Sequence, residues 1–400
     1  MKVIQVFTVP ISLCFLEKQS SFWNINNYKL HLLSAEENNL LEEFGQKNDV
    51  STYAVPFSRD KDLFNSLSNL RTLFSYFKRH QPTIVHGNTP KAAFLSMIAA
   101  TLAGVPVRVY EMHGLPLETA SWPWKILYWG IEKLTCVLAT HVIAVSPSLR
   151  RSALKKRLVS SSKISVMHFG SCNGIDAAHT FNPQRLQPSA VETLRTKLGL
   201  TSNQPLVGYV GRRTPEKGIQ ELYEAWQVVK QKMPTARLLV VGDCDKRQPI
   251  SPQLLSKLEN DPTIVRLEHQ QEVAIIYELI DFLVLPSYRE GLGNVVLEAA
   301  AMGKPSIVSR VTGLQDAVIE HQTGLFCQPK SSQDLAEKLL FYLQHPELVR
   351  KHGKTAQVRV RKQFFPHDVW QAKLLLYRRL VAATESVTLS HVSPVFQTTD

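Results

Sequence analysis

Short blocks of uninterrupted apolar residues recur along the chain, and Phe282 to Leu285, closed by Pro286, is the clearest of them. Runs of this length fit strands buried on both faces of a parallel sheet. In the first half they predict strands at Lys2–Thr8, Leu30–Ser34, Thr83–Gly87, Val107–Met112, His141–Ser146 and Ile164–Phe169. Helical patterns fill the gaps, for example Asp62–His80 and Lys91–Leu102. Around Phe181 to Ala190 the pattern lapses into FNPQRLQPSA, polar and proline-bearing, which predicts a linker. A second series follows, with strands at Leu206–Val210, Arg237–Val241, Ile264–Glu268, Phe282–Leu285, Ser306–Ser309 and Gly324–Cys327. Its first helix, Glu216–Met233, carries Ile219, Leu222, Trp226, Val229 and Met233 on one face. Alternation of strands and helices in both halves predicts an α/β protein of two Rossmann-like domains. The expected division is 1–183, 191–365, a helix over 366–383 and a disordered tail over 384–400. Two such halves face each other across a cleft, with ligands at the carboxyl ends of the strands.

Four hundred residues, 44% of them hydrophobic and 20% charged, supply two soluble cores. No apolar run reaches the ~18 residues of a membrane span. The nearest, Ala92 to Val109, is broken by Gly104 and Pro106. MKVIQVFTVPISLCFL reads as a first strand rather than a secretory leader, since Gln5 and Pro10 interrupt it. The five cysteines are scattered without metal-ligand spacing and read as buried thiols in a reducing compartment. A formal charge of +12 points to an anionic partner. Its densest stretch is Leu149 to Lys163, with six cations and no acid, which suits a solvated helix face or an anionic lipid surface. No nucleic-acid-binding motif accompanies it, and a nucleic-acid partner is not expected. SWPWKILYW, Ser121 to Trp129, holds three of the six tryptophans and is read either as core or as an aromatic rim at a membrane or acceptor groove.

Candidate chemistry gathers after the strands. In SYREGLGNVVLEAAAMG, Glu290 lies in a loop, and Glu298 lies about one turn inside a helix if Asn294 is its cap. The N–H groups of Gly291, Leu292, Gly293, Asn294 and Val295 would open into the crevice, and a helix start is an anion site. GYVGRRTPEKG adds Arg212 and Lys217 before another helix, cations suited to neutralising a diphosphate as its sugar bond breaks. A GxGxxG dinucleotide fingerprint is absent there, which counts against a nicotinamide enzyme. VGDCD, Val241 to Asp245, reads as a turn; SCNGID, Ser171 to Asp176, as a turn or hinge; and His113 stands just past a strand, followed by a glycine.

GRRTPEKG, PSYREGLGNVVLEAAAMGKP and TGLQDAVIEHQTGLF, in that order, resemble the motifs of glycosyltransferase family 4, retaining enzymes of the GT-B fold. The resemblance runs from about Lys2 to Leu380. HGLPLETA, SCNGID and the basic start of the second half are similar to a narrower bacterial group that extends undecaprenyl-diphosphate-linked sugars in capsule, exopolysaccharide or glycan assembly. It implies a GT-B fold whose last helix crosses back onto the first domain. It also implies a UDP-sugar donor in the second domain and a lipid-diphosphate-linked acceptor, with no metal or other cofactor. The location implied is cytoplasmic, peripheral on the inner face of the membrane.

By the same resemblance Arg212 and Lys217 hold the diphosphate, Glu298 the ribose hydroxyls, and Glu290 the donor sugar. Gly291, Leu292, Gly293 and Asn294 present their backbone to sugar and phosphate, and the base stacks near Glu268 to Glu272. His113 reaches across the cleft to the donor sugar and, with Glu290, forms the catalytic pair. Two departures stand out. TVPISLCF replaces the Gly-Gly loop of many relatives and is given no phosphate role. Asn88, in VHGNTPKA, stands where the narrower group tends to have a second histidine. Retaining glycosidases use two carboxyls about 5 Å apart; with Glu298 on ribose that pairing is not expected, and front-side attack is. A nucleotide-sugar epimerase of the same architecture and a non-catalytic nucleotide-sugar binder are the competing readings.

Overall fold

The computed structural model describes residues 1–57, 63–245 and 247–390. The first domain holds a seven-stranded parallel sheet: β1 (Lys2–Val6), β2 (Lys29–Ser34), β3 (Ser51–Ala54), β4 (Ile84–Gly87), β5 (Val107–Met112), β6 (His141–Ala144) and β7 (Ile164–Ser165), in the order β3-β2-β1-β4-β5-β6-β7. The second holds six parallel strands, β8 (Leu206–Val210), β9 (Arg237–Val241), β10 (Ile264–Leu267), β11 (Phe282–Leu285), β12 (Ser306–Ser309) and β13 (Gly324–Cys327), ordered β10-β9-β8-β11-β12-β13. Every residue of β8, β11, β12 and β13 is buried, which is why these strands read as apolar runs. Strand order reverses between β1 and β4, and again between β8 and β11. Those switch points open crevices at the strand carboxyl ends.

Several boundaries differ from expectation. β3 has no apolar run, because Ser51 to Ala54 lie on the sheet edge with no residue buried. β7 stops at Ser165 rather than Phe169. The expected linker contains a short 3-10 turn, Pro183–Arg185, and a helix that starts at Pro188, ahead of the expected domain start at 191. The last helix runs Pro366–Ser390, past the expected end at 383. Ala382, Ala383 and Glu385 are ordinary helix residues, and no Gly or Pro intervenes before Pro394. The rest of the expected tail, 391–400, lies outside the described residues.

That helix packs on the first domain. Val369, Leu374, Leu376, Tyr377 and Val381 share one buried cluster with Val3, Phe7, Trp23, Tyr28 and Leu32. The rings of Trp23 and Tyr377 stack with centroids 5.3 Å apart. Lys373 Nζ, fully buried, donates to Glu111 Oε2 at 2.8 Å and to the Cys172 carbonyl at 2.7 Å. Its ammonium thus joins β5 to the crossing between domains. His86 Nε2 lies 3.0 Å from the same Glu111 oxygen, and His86 Nδ1 meets the Tyr377 hydroxyl. Burial alone would raise the Glu111 carboxyl, but Lys373 and His86 hold it well below the usual carboxylate range.

All five cysteines are free, but not all are buried: Cys14 is exposed and Cys244 half-buried, since Cys14 lies in the 3-10 turn Pro10–Leu16 and Cys244 just past the end of β9 rather than inside a sheet. The three tryptophans of SWPWKILYW are not core. Trp122, Trp124 and Trp129 are 75%, 43% and 40% exposed, on and just before the helix Trp124–Leu138. Ile126, Leu127, Leu134 and Val137 of that helix are exposed with them.

Candidate active site

The two domains touch through a set of polar contacts beside the cleft. Ser146 Oγ donates to the Gly291 carbonyl at 2.7 Å, and the Gly313 N–H donates to Ser148 Oγ at 2.7 Å. The Ser148 N–H donates to Asp316 Oδ2 at 2.7 Å, so a carboxylate from the second domain sits at the start of the helix Pro147–Lys155. Arg151, from the basic stretch, lies 3.6 Å from Asp316. Lys156 instead pairs with Glu118, and Lys163 donates to the Val137 carbonyl. Part of that charge is therefore consumed in the fold. Gly291 is required at this junction: a Cβ there would stand 2.2 Å from the His113 carbonyl oxygen.

A cavity of about 260 Å³ lies at the junction, lined by His113, Arg212, Lys217, Glu290, the segment from Gly291 to Val295, and Phe15. Each piece follows a strand end: β1 leads to Phe15, β5 to His113, β8 to Arg212 and Lys217, and β11 to Glu290. The helix Asn294–Ala301 opens into this cavity. Its cap is Gly293, with φ 81°, and Asn294 is the first helical residue rather than the cap. The left-handed backbone at 293 is what a glycine supplies without strain. Lys217 does not open its helix directly. It ends a 3-10 turn, Pro215–Lys217, and Gly218 (φ 70°) starts the helix Ile219–Lys232. A Cβ at 218 would lie 2.1 Å from the Pro286 carbonyl, so a glycine here lets the Lys217 turn press against the loop that follows β11.

Lys217 Nζ is paired with Glu290 Oε1, and both side chains are largely shielded from solvent. Arg212 is paired with Asp245, whose carboxylate also takes Arg247. Asp245 belongs to VGDCD, which by sequence is a plain turn. That turn lies beside GRRTPEKG through a bridge between Arg213 and Cys244 and a bond from the Arg213 N–H to the Asp243 carbonyl at 2.8 Å. His113 is half-buried and stacks on Phe15, with centroids 5.0 Å apart and planes 12° from parallel. Its Nε2 is 3.4 Å from Asn88 Oδ1, and Asn88 Nδ2 donates to Gln5 Oε1 at 3.2 Å. Burial pushes the His113 imidazole down to about 4 although Glu111 opposes the shift, so it is neutral at pH 7. Nothing in the sequence pattern singles out Phe15. It sits in the TVPISLCF segment, folded as the 3-10 turn Pro10–Leu16.

Glu298 faces a second, larger chamber of about 860 Å³, not the one holding Glu290. Gln271, Glu272, Phe181, Asn173 and Trp370 also line it, and Asn294 and Phe15 border both spaces. The expected linker thus contributes a wall through Phe181 and Leu186. Tyr277 donates its hydroxyl to Glu298 Oε2 at 2.8 Å. Burial raises the Glu298 carboxyl to about 7, with the tyrosine bond opposing. A carboxyl raised in the native state stabilises the fold fully below its unfolded value near pH 4.5, and that contribution fades as pH climbs through about 7. Glu298→Gln is therefore expected to remove about 3 kcal/mol of the stability lost between those pH values. Denaturant titrations of both proteins at pH 4.5, 6 and 8 check this; parallel pH curves would show that Glu298 ionises normally.

The combined spaces suit an anion flanked by a polyhydroxyl group on one side and a nucleoside on the other. Residues 25–178 match the family Glycosyltransferase Family 4, and residues 190–359 match Glycosyl transferases group 1. The capsular polysaccharide biosynthesis glycosyltransferase CapM of Staphylococcus aureus is 30% identical over 384 residues, 96% of this chain and 98% of CapM. An Escherichia coli UDP-Gal:alpha-D-GlcNAc-diphosphoundecaprenol alpha-1,3-galactosyltransferase is 28% identical over 270 residues, 66% of this chain and 68% of that enzyme. Among solved structures, Anabaena HepE in complex with UDP-glucose superposes with a TM-score of 0.76 at 19% identity, covering 97% of this chain and all (100%) of that one. The full-length match to CapM, the two family matches and the two facing parallel-sheet domains together place the chain among the family 4 glycosyltransferases of GT-B fold, hexosyltransferases that move a sugar from an activated donor.

Proposed function

We propose that the chain transfers a hexose or N-acetylhexosamine from a UDP-sugar to a lipid-diphosphate-linked saccharide, with retention at the anomeric carbon. The observation that carries this reading is the meeting of Arg212, Lys217, Glu290 and the Gly291–Asn294 loop in one cavity, beside a chamber that holds Glu298. The diphosphate would lie at the helix start and the two cations. Glu298 would accept from ribose hydroxyls, and the loop at Gln271 and Glu272 would border the base. The E. coli relative is named for a diphosphoundecaprenol acceptor, and HepE was solved with UDP and with UDP-glucose, which supports both substrates.

In the proposed reaction an acceptor hydroxyl attacks the anomeric carbon from the side the diphosphate leaves. The C–O bond to the phosphate breaks with its electron pair going to UDP, and a phosphate oxygen takes the acceptor proton. Lys217 would stabilise the charge growing on the phosphate, and Glu290 would position both Lys217 and the sugar. Neutral His113, held by Phe15, would close the sugar site without adding charge. A metal is not required in this scheme because side-chain cations do its work.

The test offers a panel of nucleotide sugars with short lipid-diphosphate saccharides and reads product mass. Addition of one sugar to the acceptor, unchanged within about twofold by EDTA, is the expected result. Donor isomerised without transfer, or release of nucleotide only after a metal is restored, would overturn it.

Peripheral attachment to an anionic membrane face is part of the same proposal. No helix among the described residues is long and apolar enough to cross a membrane. The exposed face of Trp122, Trp124, Ile126, Leu127 and Trp129 lies next to Lys125, Lys133 and Arg157, a combination suited to lying in a lipid interface. Co-sedimentation with phosphatidylglycerol vesicles is expected, weakened by about 0.5 M salt through screening and lost in a Trp122→Ser/Trp124→Ser variant. Equal binding to neutral vesicles would remove the electrostatic part.

A further inference from the structure

Another recess lies at the opposite pole of the first domain. The active site occupies the carboxyl ends of the strands. This recess lies toward their starts, between the edge of the sheet and the helix Leu63–His80. Its volume is about 710 Å³. The strand side supplies His31 of β2 and Ser51, Thr52 and Tyr53 of β3, and His31 and Ser51 are register partners. The helix supplies Arg71, Thr72, Ser75, Tyr76, Arg79 and His80. Those positions fall at helical spacing on one face, with the two arginines two turns apart, about 12 Å along the axis.

Three features set this recess apart from an ordinary solvated surface. Its lining has two guanidinium groups, two imidazoles and five aliphatic or phenolic hydroxyl groups besides the Tyr76 hydroxyl, and not one carboxylate. Neither Arg71 nor Arg79 has an ion-pair partner among the described residues. Finally, the aromatic side chains are packed into a fixed wall. Tyr53 lies against Tyr76 at 4.6 Å, Tyr76 stacks on His80 at 4.1 Å, and His31 Nδ1 is 3.1 Å from the Tyr76 hydroxyl.

The surrounding charges reinforce this. Lys2 and Lys29 stand at the same end of the sheet, and burial followed by Lys2, His80 and Lys29 pushes His31 down. Burial, Lys2 and Arg79 push His80 down. The helix ends here, and its carbonyl end disfavours anions. Lys2 Nζ donates to the His80 carbonyl at 2.6 Å, and Lys78 and Arg79 occupy the last turn, which offsets that end. Asp49 borders the adjoining hollow, not this one.

We propose that this recess is an accessory binding site for a soluble multivalent oxyanion, a ligand bearing two or more phosphate groups spaced to reach Arg71 and Arg79. Hydroxyls of Ser51 and Ser75 would donate to oxygens between the two ends, whereas the Thr72 hydroxyl already donates to the Ser68 carbonyl at 3.0 Å. Guanidinium groups favour such ligands because each can bond two oxygens at once. The inference is independent of the donor and acceptor assigned to the cleft.

The test uses full-length protein and sodium tripolyphosphate at low ionic strength. Calorimetry reads binding and NMR of the histidine ring protons reads location. The expected result is saturable binding that raises the apparent pKa of His31 and His80, and is weakened about a hundredfold in Arg71→Ala/Arg79→Ala, about tenfold for each guanidinium removed. Lys217→Ala should leave the His31 and His80 response intact, which separates this recess from any phosphate binding in the cleft. Unperturbed histidines, equal affinity in the double variant, or dependence of the arginines' effect on anionic vesicles with none on tripolyphosphate would each overturn the proposal; the last would make the face a membrane-docking surface.

Discussion

Lys217→Ala is expected to lower the transfer rate at saturating donor by about 10²–10³-fold, the cost typical of losing one preorganised group at a site of developing charge. The ammonium stands in the same cavity as the helix start and is paired with Glu290. Two losses coincide in the variant. The leaving phosphate loses a cation, and Glu290 becomes an uncompensated, largely shielded carboxylate facing the same anion. Removing the repulsion should recover part of the rate, so Lys217→Ala/Glu290→Gln is expected to be less impaired than the product of the single variants. Initial rates of UDP release over a range of donor concentrations check this. A loss confined to KM would mean that Lys217 binds ground and transition states alike, and an unchanged kcat would remove it from the chemistry.

Lys373→Met is expected to destabilise the first domain by about 3–5 kcal/mol, the usual cost of stripping the partner from a buried charge. Glu111 and Lys373 are each 1% exposed, so water cannot replace the missing ammonium. Lys373→Met/Glu111→Gln should regain most of the loss, because no unpaired charge remains. Calorimetric unfolding of wild type and both variants at pH 7 gives the comparison. If the single variant costs under about 1 kcal/mol, Glu111 has taken up a proton instead, and its stability would then fall as pH rises.

The residues that could be read from sequence are those whose burial is symmetric. β5, β8, β9, β11, β12 and β13 match their expected spans to the residue, since both faces of each are largely covered and few polar positions interrupt the pattern. β3 could not be read, because STYA is exposed and holds its place only by pairing with β2. That Arg212, Lys217 and Glu290 line one cavity was legible because each stands in a glycine-bearing loop just past a strand end. Their partners were not. Asp245, Tyr277 and Phe15 are 33, 21 and 98 positions from the groups they hold, and nothing local marks them. Lys373 is the extreme case, a lysine in an amphipathic helix that looks solvent-facing until the helix is laid across β5. The tryptophans around 122–129 fit a core or a surface equally well by composition. Only the packing of Glu132, Thr135 and Cys136 as the inward face of their helix turns them outward.

The return of the closing helix to the first domain bears on the order in which the protein can mature at the ribosome. Trp23 and Tyr28 have Tyr377 as a ring neighbour, and that residue emerges only after the whole second domain has been synthesised. Until then one side of the early sheet carries uncovered apolar rings and Glu111 lacks its ammonium. The second domain, whose core draws on nothing later than Phe364, can close first. Nascent chains arrested before Pro366 should therefore protect the later half from protease while the earlier half stays open and dependent on chaperones.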